Sequence, residues 1–147
     1  MYWESVKVTN GINIDRIYSF FEAKYDKSYN FKGESHNFWE CVYIAQGGAC
    51  VSADEKVYNI SKGEIIIHKP LEFHKFYISS EDDATLIIFS FSLEGELADD
   101  LRNKILTLTE KEKQLLNMLI DYVKPYKKPF NEKENNNYTN IIYIIGC

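Results

Sequence analysis

The sequence predicts an all-β domain, because short strand-like runs and turn signals alternate over most of the chain. From about Tyr18 to Leu93 the runs are rich in β-branched and aromatic residues, with a turn signal roughly every ten residues. These runs do not alternate with long helices, which excludes a doubly wound α/β fold. The 147 residues suffice for one domain with a real hydrophobic core. We therefore expect a β-sandwich or barrel.

Each predicted strand ends at residues that favour turns. The candidate strands are 42–45, 49–52, 57–60, 65–68, 73–78 and 85–91. The segments between them contain glycine at 47–48 and 63, the Lys69-Pro70 break and the acidic run 80–83. Glycine, proline, serine and aspartate are the common turn residues, so the breaks support the strand boundaries.

After Leu93 the pattern becomes helical. Residues 95–104 could form a short helix, and Thr109 followed by Glu112 fits a capping box. Apolar residues then recur at spacings of three and four before Pro125 ends the helix: Leu115, Leu116, Leu119, Ile120 and Val123. Such a stripe fits packing against the barrel and a dimer seam equally well.

The last part of the chain is a polar loop at 127–137 followed by the apolar run 140–147, which is ambiguous between strand and helix. A domain seldom finishes inside an exposed apolar run, so we expect the protein to continue beyond this sequence. We divide the chain into a barrel over residues 1–95 and a helical dimerisation or linker segment over 96–147.

Charge and cysteine content narrow the function classes. The net charge is −5, with 9 Lys and Arg against 14 Asp and Glu in residues 1–95. Because no basic stripe is present, we do not expect this sequence to bind nucleic acid by itself. The three cysteines form no CxxC pair, and neither a signal peptide nor a membrane-length apolar run is visible. These features predict a cytoplasmic protein with reduced thiols.

One candidate strand carries a carboxylate toward the predicted core. Side chains alternate along a strand, so His36, Phe38, Glu40, Val42 and Ile44 share one side. Because Val42 and Ile44 are natural core residues, Glu40 must point inward with them. A buried carboxylate is costly unless it is paired, hydrogen-bonded or bound to a ligand.

A second segment supplies another imidazole. After Pro70, the residues His74, Phe76 and Ile78 share one face of a strand. We therefore expect two imidazoles and a carboxylate to converge in one ligand-binding cavity, formed by His36, Phe38, Glu40, Val42, His74 and Phe76. A plain core role for the phenylalanines and a hydrogen-bonded structural role for the histidines are the alternatives. His68 is expected to be a strand-end residue without a special role.

Two motifs resemble those of the cupin superfamily. In His36–Gly47, a histidine, a glutamate and a glycine are separated by three and six residues, as in the latter part of the first cupin motif. Gly63–His74 resembles the second motif in the variant common among AraC-type sensor domains, and the phrase His36–Tyr43 is typical of those regulators. The resemblance covers residues 30–125, and the stretch after Leu93 resembles the helices that this family uses for dimerisation.

The resemblance implies the N-terminal sensor and dimerisation domain of an AraC-family transcription regulator. It implies a cupin-like double-stranded β-helix, a jelly-roll barrel, followed by C-terminal α-helices. A small-molecule ligand, such as a sugar or another small polar compound, would bias the arrangement of an attached helix-turn-helix domain, expected beyond residue 147. It further implies a homodimer, no catalytic activity and no cofactor.

Two other functions remain open. A free-standing metal-dependent cupin enzyme, of the isomerase or dioxygenase type, would hold its metal on His36, Glu40 and His74, with Glu34 as a further ligand. Glu34 stands where metal-binding cupins usually carry their first histidine, and AraC-like domains mostly keep this pattern without a metal. The third possibility is a non-catalytic jelly roll that has no DNA-binding partner. The sequence shows no Ser-His-Asp set, P-loop or dinucleotide-binding glycine motif.

Overall fold

The computed structural model describes residues 4–5, 13–95, 98–101, 105–123 and 141–143. Within them the chain forms nine strands, a short 3₁₀ helix at Ala98–Leu101 and the helix α1 at Glu110–Val123. All strand pairs are antiparallel. The predicted all-β class is confirmed.

The strands form two sheets. The six-stranded sheet has the order β8-β5-β2-β7-β1-β9 and contains β1 (Asn13–Tyr25), β2 (Trp39–Gln46), β5 (Glu64–His68), β7 (Ala84–Glu94), β8 (Ile105–Thr107) and β9 (Ile141–Tyr143). The three-stranded sheet has the order β4-β3-β6 and contains β3 (Gly48–Ala53), β4 (Lys56–Ser61) and β6 (His74–Ile78).

The strands predicted between residues 42 and 91 all exist, but β1 is longer than the sequence suggests. It begins at Asn13, and residues 13–18 are exposed. An exposed stretch carries no inward-outward alternation, so its strand character leaves little signal in the sequence. From Phe20 onward β1 contributes buried side chains to the sheet.

The turn between β2 and β3 depends on glycine. Gly47 has a φ of +82°, in the left-handed region that other residues rarely adopt. A Cβ at this position would lie 2.8 Å from Ser80 Oγ and 2.9 Å from the Cα of Ala84. Both the backbone conformation and the space therefore exclude a larger residue.

The main core lies between the two sheets. Val42, Ile44 and Ile66 of the six-stranded sheet belong to the same buried cluster as Val51 and Ile78 of the three-stranded sheet. Neighbouring residues on β2 and β5 point to the opposite face and form a second apolar cluster with Ile120 of α1. The inner face therefore packs on the small sheet, whereas the outer face packs under the helix.

Helix α1 starts at the predicted capping box. Glu112 N donates to Thr109 Oγ1 at 3.3 Å, and Thr109 N donates to Glu112 Oε2 at 2.7 Å. The predicted apolar stripe divides into two parts. Ile120 is buried and Leu116 packs partly beneath the helix, whereas Leu115 and Leu119 are exposed. Packing on the sheet thus accounts for two of the five stripe residues, and a dimer seam stays a prediction for the exposed Leu115 and Leu119.

Residues after 95 also contribute two short strands, which the helical prediction for 96–147 does not include. β8 pairs with β5, and β9 pairs with β1. The apolar run 140–147, which the sequence left ambiguous between strand and helix, forms a strand at 141–143. Its β-branched isoleucines favour a strand. The side chain of Val123, Pro125, the loop at 127–137 and residues 144–147 lie outside the described residues. Of the helices described, none is long and apolar enough to cross a membrane.

Candidate functional site

A cavity of about 180 Å³ opens at one end of the inner face. Strands β1, β2, β6 and β7 and the loop at residues 26–38 line it, and five of its twelve lining residues belong to that loop. The lining residues are Ser19, Phe21, Tyr25, Tyr29, Phe31, Glu34, His36, Phe38, Glu40, Phe76, Ile88 and Ser90.

A row of polar side chains crosses the six-stranded sheet at this end. Ser19 pairs with Ser90, Ser90 with Glu40, and Glu40 with His68 on four neighbouring strands. Directly opposed residues of antiparallel strands project to the same face, so this polar row (Ser19, Ser90, Glu40 and His68) points inward. The hydroxyls of Ser19 and Ser90 are hydrogen-bonded. The predicted inward orientation of Glu40 is confirmed.

Glu40 lies between two imidazoles. Its Oε2 is 3.3 Å from His36 Nε2, and its Oε1 is 3.3 Å from His74 Nε2. Only the first contact has hydrogen-bond geometry. Burial by itself would raise the pKa of Glu40, but the hydrogen bond from His36 and the nearby His74 outweigh it and lower that pKa to about 2. The carboxylate is therefore ionised although it is only 7% exposed.

The other ring nitrogen of each imidazole determines its protonation. His36 Nδ1 donates to the carbonyl of Phe38 at 2.9 Å, and His74 Nδ1 donates to the carbonyl of Glu72 at 3.1 Å. Each Nε2 then faces a carboxylate oxygen, which can only accept, so both nitrogens are suited to carry a proton or to bind another cation. Burial opposes a charged imidazole, but Glu34 and Glu40 raise the pKa of His74 to about 10. Despite its burial, contact with Glu40 also raises the pKa of His36.

Glu34 adds a second carboxylate at the mouth of the cavity. Its backbone pairs with His74 through two hydrogen bonds of 3.0 Å. Its Oε1 is 3.7 Å from His74 Nε2 and 3.9 Å from His36 Nε2, and half of the side chain is exposed. One donor atom from each of Glu34, His36, Glu40 and His74 lies within 4.8 Å of the others. Two imidazoles and two carboxylates fit a divalent transition metal.

A buried hydrogen-bonded pair that the sequence analysis missed, His68 and Glu72, lies behind His74. His68 Nδ1 donates to Glu72 Oε1 at 2.7 Å, both side chains are almost fully buried, and the His68 ring stacks on His74 with centroids 4.3 Å apart. His68 is therefore not an inert strand-end residue. Its position two residues after the core residue Ile66 carries the signal that could have revealed its inward orientation.

The turn before β6 places Glu72 inside. Leu71 has a φ of +66° and is exposed, and its amide donates to the carbonyl of His36 at 2.7 Å. This left-handed conformation is one that glycine adopts without the strain that a side chain such as that of Leu71 introduces. The turn thus exposes Leu71 and directs the next side chain to His68.

The predicted ligand-binding residues do not all reach the cavity. His36, Phe38, Glu40 and Phe76 line it. His74 contacts Glu40 from behind and is not a lining residue, while Val42 is only 1% exposed and belongs to the core. Val42 lies on the inner face two residues beyond Glu40, as predicted, and its role in ligand binding stays a prediction. The roles of the other residues in binding stay predictions.

An aromatic cluster forms the apolar wall of the cavity. Phe76 contacts Tyr25, Tyr29 and Phe31 with ring centroids 5.3, 5.4 and 5.4 Å apart. The sequence analysis missed the last three because they lie at the end of β1 and in an irregular loop, where no periodicity marks inward positions. Next to Glu40, the ring of Phe38 stacks on the imidazole of His36, with ring centroids 3.9 Å apart.

Three solved structures are similar to this chain. The plu4264 protein from Photorhabdus luminescens has 16% identity and a TM-score of 0.35, and the match covers 59% of this chain and 58% of that one. Protein Ylba from E. coli has 13% identity and a TM-score of 0.45, covering 72% and 48%. A cupin 2 domain-containing protein from Halorhodospira halophila has 11% identity and a TM-score of 0.45, covering 92% of both chains. The chain thus spans little more than half the length of the Photorhabdus protein and about half that of Ylba. Identities and TM-scores this low carry no argument about function.

The family is shown by a match to a family model over most of the chain. No curated protein matches the chain significantly. The model of the AraC-like ligand binding domain, however, matches residues 17–120, from within β1 to near the end of α1. This range includes all the cavity-lining residues and the packed half of the helix. The chain therefore belongs to the family of AraC-like ligand binding domains.

Proposed function

We propose that this chain is the small-molecule-sensing and dimerisation domain of a cytoplasmic bacterial AraC-type transcription regulator. The observation that carries the proposal is the ionised carboxylate of Glu40 in the wall of a cavity of about 180 Å³. Buried ionised groups are costly and cluster at functional sites. Family membership indicates that the function is ligand binding. We propose no catalytic role for these residues.

The loop at 26–38 offers a way to transmit binding. It supplies Tyr29, Phe31 and Glu34 to the cavity wall, and Glu34 is tied to β6 by backbone hydrogen bonds. A ligand that contacts these residues would favour one loop arrangement over another. It would regulate an attached DNA-binding domain only if it bound the two arrangements of the protein with different affinity.

Dimerisation is assigned to the exposed side of α1. Leu115, Met118, Leu119 and Tyr122 are exposed there, on the outer face of the sheet whose inner face lines the cavity. An exposed apolar stripe on an otherwise polar helix suits a helix of a second subunit. DNA would be bound only through a further domain of the full-length protein.

A ligand screen with the full-length protein tests the proposal. Thermal shifts are measured with a metabolite library that includes sugars and other small polar compounds. A hit should stabilise the wild type and the control Glu55→Ala, which changes an exposed turn residue, but should lose its effect in Glu40→Ala. The hit should also change the affinity of the full-length protein for its promoter DNA. Absence of a helix-turn-helix in the complete gene, or binding that leaves DNA affinity unchanged, would contradict the proposal.

The four-donor cluster favours a metal-dependent cupin enzyme as the second candidate. The Nδ1 hydrogen bonds of His36 and His74 to backbone carbonyls orient both Nε2 atoms, as is usual for metal-bound histidines. A divalent metal on Glu34, His36, Glu40 and His74 would supply Lewis-acid chemistry. Elemental analysis of protein purified without chelators distinguishes the two candidates. Stoichiometric Mn, Fe, Ni or Zn, lost in His74→Ala, supports the enzyme, and its absence opposes it.

A further inference from the structure

The inner face of the six-stranded sheet changes polarity within one step along its strands. Two residues beyond the polar row, the same four strands carry an equally registered but wholly apolar row, formed by Phe21, Ile88, Val42 and Ile66. Phe21 and Ile88 line the cavity next to Ser19 and Ser90. Within these two rows, hydrogen-bonding side chains lie at one end of the cavity only.

The two phenylalanines of the aromatic cluster, but not Tyr25 and Tyr29 with their hydroxyls, extend the apolar surface. Phe31 and Phe76 face the cavity without a polar atom and pack against each other. A polyhydroxyl ligand would place several hydroxyls against Phe21, Ile88 and these rings, where they would lose water without gaining a partner. Such unpaired polar groups lower affinity, so the distribution of polarity disfavours a sugar.

The size of the cavity limits the ligand to about one ring. Its volume is about 180 Å³. An apolar protein cavity of about 150 Å³ accommodates benzene. A single ring with one small substituent therefore fits inside, whereas part of a second fused ring would lie outside the cavity.

The charged groups at the polar end are already matched. Glu34 and Glu40 each face the Nε2 atoms of His36 and His74, and no lysine or arginine occurs among the lining residues. An added charge would have no counter-ion of its own inside the cavity, and an unpaired buried charge is costly. A neutral group that can both donate and accept a hydrogen bond is compatible with Ser19, Ser90 and Glu40.

We infer that the ligand is a compact, uncharged, single-ring aromatic compound with a hydroxyl at one end, a phenol or aromatic alcohol. Its hydroxyl binds at the polar row, and its ring lies against Phe31, Phe76 and Ile88. This inference rests on the proposed sensing function and specifies the ligand class of the same cavity.

Calorimetric titration of the full-length protein with four probes tests the inference. Benzyl alcohol, benzylammonium and benzoate share a ring and differ in charge, while ribose is uncharged but hydroxylated on all sides. Benzyl alcohol should bind at least about tenfold more tightly than each of the others. Phe31→Ala should weaken benzyl alcohol binding by about tenfold, whereas Tyr77→Ala, on the exposed side of β6, should leave it unchanged.

The outcomes separate this inference from the proposed function. Tighter binding of ribose, benzylammonium or benzoate than of benzyl alcohol would overturn the ligand class but leave a ligand-binding domain. Failure of all four probes to bind would also overturn the class, and the metabolite screen would then decide on sensing independently. The comparison among probes uses the unmodified protein, so it does not depend on the folding of any variant.

Discussion

The two faces of the six-stranded sheet are both buried but differ in what stabilises them. On the inner face, Glu40 of β2 is held by imidazoles beside a cavity. On the outer face, the neighbouring residues Cys41 and Tyr43 pack in an apolar cluster with Ile87 and Ile120. Because side chains alternate along a strand, one segment of chain serves both environments.

This difference indicates a division of roles. The charged groups at the inner face, Glu40 and its two imidazoles, stabilise one another, and removing one leaves another buried without a partner. The outer residues contribute independently through apolar burial. Substitutions on the inner face should therefore alter ligand binding and pH dependence, whereas those on the outer face should alter stability or association alone.

The largest effect is expected for His74→Leu in β6, which faces Glu40 on the inner face from the three-stranded sheet. This change removes one partner of the buried Glu40 carboxylate and the stacking partner of His68. The free energy of unfolding should fall by about 3 kcal/mol or more, as for other buried ion pairs that lose one member. Chemical denaturation monitored by tryptophan fluorescence measures the loss.

The double variant His74→Leu with Glu40→Leu is the control for this prediction. Replacing a buried pair with apolar side chains is often neutral, so the double variant should recover much of the lost stability. A double variant as unstable as the single one would show that packing of the His74 ring, and not its charge, is what matters.

On the outer face, Ile87→Ala should also destabilise the fold, but without any dependence on pH. Ile87 is 1% exposed in the apolar cluster beneath α1. Loss of its side chain should cost about 2–4 kcal/mol at pH 5.5 and equally at pH 9, because no titrating group is removed. A cost that changed between these pH values in denaturant melts would contradict the separation of the two faces.

The sequence analysis predicted the buried apolar residues of both faces more completely than it predicted the residues that line the cavity. Alternation in β2 was enough to place Glu40 inside, and the spacing of the motifs brought His36 and His74 to it. His68 was missed because a histidine at a strand end has no hydrophobic signal of its own. Tyr29 and Phe31 were missed because loops lack periodicity, and Ser19 because cross-strand register depends on how distant segments pair.

The pH dependence of the wild type should reflect the inner face. The pKa of Glu40 is lowered from 4.5 to about 2 on folding, so its contribution to stability is present above pH 4.5 and lost as pH falls toward 2. The pKa of His74 is raised from 6.5 to about 10, so its contribution is full below pH 6.5 and is lost as pH rises toward 10.

From these two groups we expect maximal stability between pH 4.5 and 6.5. The decline above pH 6.5 should be smaller than the effect of His74→Leu, because His36 still accompanies Glu40 after His74 loses its proton. Thermal denaturation across this range measures the profile. The alkaline decline should weaken in His74→Leu, and its persistence there would assign it to another group.

The smallest effect on folding and the clearest effect on association are expected for Leu119→Glu. Leu119 is 42% exposed, whereas the next residue, Ile120, is buried, so the unfolding free energy should change by about 0.5 kcal/mol or less. If this side is the dimer seam, a charge there should raise the dimer dissociation constant at least about tenfold, because it would be buried without a partner. Sedimentation analysis measures the constant, with Asn117→Glu as a control that adds the same charge elsewhere on the helix. Equal dissociation constants for both variants and the wild type would move the subunit contact away from α1 and leave the outer face with a packing role alone.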